Sequence, residues 1–163
     1  MSSDNEYEKK DSVRGVDHIG VNCIFFCHDG QGNILCGKRS ARCRDEQGRW
    51  DAGAGAMEFG ESFEDTVRRE VKEEYGADAL AIEYVNTRNI IREHNGRMTH
   101  WVANLHLVRV DPAEVHNGDP EKIDEIGWFS IDNPPSPPHS ALMHGIEAIR
   151  AHFKKHSEVP YLA

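Results

Sequence analysis

The stretch from Gly55 to Ala77, GAMEFGESFEDTVRREVKEEYGA, limits what this 163-residue chain can fold into more than any other. It predicts one short amphipathic helix with an acidic edge. Ser62 followed three residues on by Asp65 reads as a helix N-cap, and Gly76 supplies a stop, so the helix should run from about Ser62 to Tyr75. At about 100° per residue, Phe63, Val67, Val71 and Tyr75 form one drifting apolar stripe. Glu70 and Glu74 lie beside or within that stripe, and Glu73 sits roughly 60° round from Glu70. The carboxylates therefore converge on one edge of the buried face. Like charges at i, i+3 and i+4 repel by a few tenths of a kcal/mol per pair in water and by more when partly desolvated, so such a face needs a positive partner. Oxygen ligands in this number suit Mg2+, with Mn2+ as a substitute, because both ions take a few carboxylates and keep coordination sites for water and phosphate oxygens.

An acidic helix alone is usually a solvated face. What separates this one is the full spacing: Gly55, five residues, Glu61, seven residues, then Arg69-Glu70-Val71-Lys72-Glu73-Glu74-Tyr75-Gly76. That pattern resembles the signature of the Nudix hydrolases, in which a glycine, five residues, a glutamate and seven residues precede Arg-Glu-aliphatic-x-Glu-Glu-x-Gly-aliphatic. Only Ala77 departs, where a larger aliphatic is usual, and that touches packing rather than chemistry. The resemblance implies a metal-assisted attack of water on the phosphoanhydride of a small-molecule nucleoside diphosphate-linked substrate. It also implies that the Gly55 carbonyl is a metal ligand.

The other roles follow from helical phase and charge. Glu70 and Glu74, one turn apart, are the first candidates for metal ligands, with Glu73 in support as ligand or catalytic group. Arg69 points to another side and is placed to pair with a glutamate, Glu61 being the nearest choice, in a bidentate bracing role. Glu61 itself binds metal or supports its binding. The resemblance implies that the base that activates water comes from the box or from a later loop; Glu121, Asp124 and Glu125 are the candidates there, and Glu121 is taken first.

The chain around this stretch reads as scaffold and substrate surface. His18 to Cys27 is a β-rich apolar run, a HDGQGN turn follows, and Ile34 to Arg39 returns as the second arm of a hairpin. Ile82 to Arg92 and Met98 to Val110 form two further strands joined by a turn at Asn95-Gly96. On the second of these, Trp101, Ala103, Leu105 and Leu107 point one way and His100, Asn104 and His106 the other. A strand from Ile126 to Ile131, a proline-rich connection and an amphipathic helix from Ser140 to Lys154 complete the chain. This order predicts an α+β fold, and the resemblance implies an α/β/α sandwich with a mixed sheet between helices. Residues 16–157 are expected to form the single domain, with a mobile N-terminal tail at 1–15 and a C-terminal tail at 158–163. Arg39 at a strand end, Trp101 on the long strand and His139 before the last helix are the expected substrate contacts.

Composition excludes several other functions. Hydrophobic residues make up 38% of the chain, and no apolar run reaches the ~20 residues of a membrane-spanning helix. A net charge of −9 argues against non-specific nucleic-acid binding. Cys23, Cys27, Cys36 and Cys43 lack zinc-site spacing and read as reduced thiols, in keeping with a cytoplasmic protein. The leading expectation is a nucleoside triphosphate pyrophosphohydrolase that releases a monophosphate and pyrophosphate. An ADP-ribose or nucleoside-diphosphate-sugar pyrophosphatase is the alternative within the family, and a non-catalytic nucleotide sensor the alternative outside it. Nothing in the chain fixes an oligomeric state.

Overall fold

The computed structural model describes residues 12–155. Strands β1 (Gly20–His28), β2 (Asn33–Arg39), β3 (Trp50–Asp51) and β4 (Gly53–Ala56) precede helix α1 (Phe63–Tyr75). Strands β5 (Ala81–His94), β6 (Arg97–Arg109) and β7 (Ile123–Ser130) then lead to helix α2 (Ser140–Lys155). The seven strands form one mixed sheet in the order β3-β2-β1-β6-β5, with β4 also on β1 and β7 also on β2. This is the α+β sandwich that the sequence predicts.

The expected hairpin of β1 and β2 is only a corner. The two strands pair at His28 and Ile34 alone. Asp29 fixes the turn by accepting from the Gln31 and Asn33 amides, and β2 then diverges to pair along its length with β7. That divergence leaves one edge of β1 free. Its other edge carries β6 in parallel, from Gly20 opposite Trp101 to His28 opposite Arg109. The free edge takes up β4, with Asn22 opposite Ala56 and Phe25 opposite Gly53. The glycine-rich strand is thereby laid beneath α1.

Both faces of the sheet are covered. On one face Cys23, Phe25, Cys27 and Leu35 pack against Val67, Val71 and Tyr75 of α1. On the other, Phe26, Ile34, Leu105 and Leu107 pack against Leu142, Ile146 and Ile149 of α2. Residues 103–108 of β6 are buried, and there Asn104 Nδ2 and His106 Nδ1 have no hydrogen-bond partner among the described residues. Asn104 accepts from the Thr87 hydroxyl at 2.7 Å, and His106 sits edge-on to Tyr84. His100 bonds to Asn89 on the same face.

Ser62 caps α1 with a reciprocal pair, its hydroxyl accepting from the Asp65 amide and its own amide donating to the Asp65 carboxylate. Gly76 ends the helix in the left-handed conformation at φ 68°. Asn95 and Gly96, with φ 51° and 75°, make the tight turn between β5 and β6. The tail expected at 1–15 is fixed at its end: Arg14 donates to the Met57 carbonyl and Glu58, and the Gly15 carbonyl accepts from the His100 amide. Residues 1–11, and all of the expected tail at 158–163, lie outside the described residues. Among the described residues no helix is long and apolar enough to cross a membrane.

Candidate active site

The site begins where β4 passes under α1. A side chain at Gly55 would overlap the Glu70 carboxyl group, so only glycine brings the backbone this close to the helix. Gly55, Glu70 and Glu74 line one cleft, and Arg39, Asp51 and Lys122 complete its wall. Burial raises the pKa of Glu70 against the pull of Arg69. Burial also pushes Glu74 well up, and the neighbouring Glu70 charge adds to it. Burial makes the charged form of both carboxyls costly unless a positive group lies beside them. Among the described residues no three His, Cys, Asp or Glu side chains converge into a closed metal cage. Two carboxylates on one cleft wall are a partial donor set, and any ion they held would keep coordination sites for water and phosphate oxygens.

Arg69 organises the neighbours. Its Nε and one terminal nitrogen reach both oxygens of Glu61, at 2.7 and 3.0 Å. The other terminal nitrogen donates to Glu70 at 2.6 Å, and a further bond reaches the Ala56 carbonyl at 3.1 Å. One planar guanidinium thus ties the loop, β4 and a cleft carboxylate together, a geometry a lysine does not reproduce. Glu61 also accepts from the Glu58 amide and the Thr66 hydroxyl. The Arg69 bond, then the Glu58 amide, hold its pKa down at about 2. With its lone pairs so occupied, Glu61 is placed as a brace.

Two expected site residues fall elsewhere. Glu73 is largely exposed, faces Arg69 at 3.5 Å and does not line the cleft. Glu121 pairs with Arg42 at 2.9 Å on the outer surface, with three quarters of its side chain exposed. The structure therefore does not bring Glu121 to the carboxylates. Its neighbour Lys122 lines the cleft instead, because the Asp119 turn and the Ser40 amide hold its backbone there. No spacing rule connects Lys122 to the helix.

Arg39, Trp101 and His139 meet on a second cavity that shares Arg39, Asp51, Ala52 and Ala54 with the carboxylate cleft. The two spaces adjoin at these residues. Trp101 lies flat on Gly15 and Gly20, where any side chain would strike its indole, so its ring forms a fixed wall. Arg39 is held by the Asp45 carbonyl and carboxylate. His139 is drawn in by backbone bonds along β3, its amide donating to the Trp50 carbonyl and the Trp50 amide to Pro137.

Two residues at this junction carried no signal in the sequence. The Asp51 carboxylate lies 3.0 Å from Nδ1 of His139, and Glu46 lies 3.2 Å from its Nε2. Burial raises Asp51 to about 7, against the pull of Arg39. Burial lowers His139 despite the Glu46 charge. Glu46 is only partly buried, and two bonds from Ser140 at the start of α2 outweigh its desolvation and keep it ionised. Its backbone is left-handed at φ 46°, a conformation that costs on the order of 1–3 kcal/mol and persists only where surrounding bonds enforce it. Positions 46, 51 and 139 meet only through the fold.

Comparison with known proteins agrees with this architecture. The NUDIX domain family profile matches residues 16–147. The chain belongs to the Nudix hydrolase family. This Nudix hydrolase superposes on the crystal structure of a MutT NUDIX hydrolase from Burkholderia pseudomallei with a TM-score of 0.71 at 28% identity, covering 80% of this chain and 98% of that one. A NUDIX hydrolase from Nitrosomonas europaea shares the fold at a TM-score of 0.62 and 23% identity, over 82% and 90% of the two chains. Among curated proteins, the NAD-capped RNA hydrolase NudC of Stutzerimonas stutzeri (strain A1501) is 35% identical over 89 residues, 52% of this chain and 28% of that protein. The protein of the same name from Vibrio vulnificus (strain CMCP6) is 28% identical over 125 residues, 76% and 44% of the two. The chain thus spans less than half the length of these curated relatives.

Proposed function

We propose that this Nudix hydrolase is a metal-dependent pyrophosphohydrolase that cleaves a nucleoside triphosphate to the monophosphate and pyrophosphate. The observation that carries this reading is the Gly55 backbone set against Glu70 in a cleft that Glu74 also lines and that adjoins the Trp101 cavity. Glu70, Glu74 and the Gly55 carbonyl would hold Mg2+ or Mn2+. Bound there, the ion would supply positive charge for the polyphosphate and for the charge that develops on the leaving phosphate. Arg69 keeps Glu70 and Glu61 in register, Arg39 and Lys122 face the phosphates, and the Trp101 ring offers a stacking surface for the base.

A second reading is hydrolysis of a dinucleotide pyrophosphate, free or at the end of an RNA. It is favoured by the relatives named as NAD-capped RNA hydrolases, so the expectation that nucleic acid plays no part is not carried forward. The test is product analysis with Mg2+ across nucleoside triphosphates, ADP-ribose, nucleotide sugars, NAD and NAD-capped RNA. Pyrophosphate and a monophosphate from a triphosphate support the first reading; two monophosphates from NAD or its capped RNA support the second. Tight binding without turnover of any of them would leave a nucleotide sensor.

A further inference from the structure

Alternation along β1 turns Gly20, Asn22, Ile24 and Phe26 to one face, and the last three line the Trp101 cavity. Trp101 lies on Gly20, so its indole stands next to Asn22 on that face. Ala56 of β4 and Ala103 of β6 lie opposite Asn22, and neither side chain can bond to it. Asn22 Oδ1 is buried and has no hydrogen-bond partner among the described residues. His28, Asn86, Asn104 and His106 also hold such an atom, but none of them lines this cavity or the carboxylate cleft. Neighbouring polar groups of the cavity are engaged: the Thr99 hydroxyl donates to the Arg92 carbonyl, Arg39 donates to Asp45, and His139 Nδ1 accepts from the Ala141 amide. A buried carbonyl oxygen without a donor is costly to hold, and a ligand N–H that reaches it removes that cost.

We propose that Asn22 is the residue that selects the base, and that it selects a 6-aminopurine, its Oδ1 accepting from the exocyclic N6–H of an adenine stacked on Trp101. This rests on the phosphoanhydride reading above, which makes the occupant of the cavity a nucleotide. The buried end of the Asn22 amide is its oxygen, so the ligand group that reaches deepest must donate. An exocyclic amino group projects beyond the ring edge and does so. A 6-keto oxygen in the same place would bring two acceptors together, and the side chains of Ile24, Phe26, Ala52 and Ala54 around it offer no donor. Discrimination then works by penalty: the wrong base leaves Oδ1 desolvated and unpaired. Adenine is present in ATP, in ADP-ribose and in NAD, so the same choice of base serves either substrate reading.

Isothermal titration of the full chain with AMP and with IMP, which differ in the 6-amino and 6-keto groups, reads this choice without turnover. The ratio of kcat/KM for ATP to that for ITP reads it in the reaction. Wild-type protein should bind AMP at least about 10-fold more tightly than IMP, with a similar preference for ATP over ITP. Asn22→Leu, close in size and without a polar end, should bring the two affinities within about twofold of each other, and Asn22→Ala should do the same. Equal affinity of the wild type for AMP and IMP, in a protein that hydrolyses ATP and ITP alike, would overturn the proposal alone. So would an AMP preference that survives in folded Asn22→Leu. An AMP preference that Asn22→Leu abolishes, in a protein that turns over no anhydride, would uphold the role of Asn22 and remove the hydrolytic reading. Neither binding nor turnover of any of the four nucleotides would overturn both.

Discussion

Arg69 shows how one side chain sets the geometry of the site. It meets Glu61 through two bonds and Glu70 through a third. A lysine keeps the charge and loses the fork. Arg69→Lys should therefore lower kcat by about 10- to 100-fold, the usual loss when a group that orients a metal ligand is removed. Thermal stability, measured alongside turnover, should stay close to wild type, since the guanidinium is partly exposed. At this scale the sequence was legible where geometry is local. The separation of Arg69 from Glu61 and the phase of Glu70 and Glu74 all lie within one helix and its approach. Phase places Glu73 near Glu70, and the structure has its side chain exposed beside Arg69. Asp51, Glu46 and Lys122 were not legible, because each reaches the site from another element through backbone bonds that no spacing records.

Among the elements, α1 was the clearest, since its cap, stripe and stop are all written in adjacent residues. The meeting of β1 and β2 was the least clear. Two apolar runs about a turn predict a hairpin, yet β2 is claimed by β7 and β1 by β4 and β6. Long-range pairing decided that competition, and it leaves no periodic trace. Helix α2 covers the face opposite α1 with Leu142, Ile146 and Ile149, all fully buried, and its first turn holds His139 and Glu46 in place. Leu142→Ala should lower unfolding stability by about 2–5 kcal/mol in a denaturant titration. Because Leu142 lies two residues from Ser140, the same substitution should also reduce turnover. A variant with full stability would show that the α2 face is not packed as described.

For the whole molecule, two shifted carboxyls pull stability in opposite directions with pH. Glu61 falls from an ordinary 4.5 to about 2, so its contribution is present above pH 4.5 and is lost as pH drops through 2. Asp51 rises from an ordinary 3.8 to about 7: the folded state holds a proton that the unfolded chain has released, so its contribution is full below pH 3.8 and is lost as pH climbs through 7. Thermal melts from pH 4 to 8 should show the wild type losing ground to Asp51→Asn across that interval. A constant gap between the two proteins would contradict a buried, neutral Asp51. The proposal that Gly55, Glu70 and Glu74 make this Nudix hydrolase metal-dependent belongs at this scale. It is tested most directly by product analysis of wild type and Glu74→Gln on the nucleotide panel with and without Mg2+. The expected result is Mg2+-dependent release of a nucleoside monophosphate and pyrophosphate from a triphosphate by the wild type, and a loss of at least about 100-fold in a folded Glu74→Gln. Equal turnover by the two proteins, or turnover indifferent to Mg2+, would contradict it.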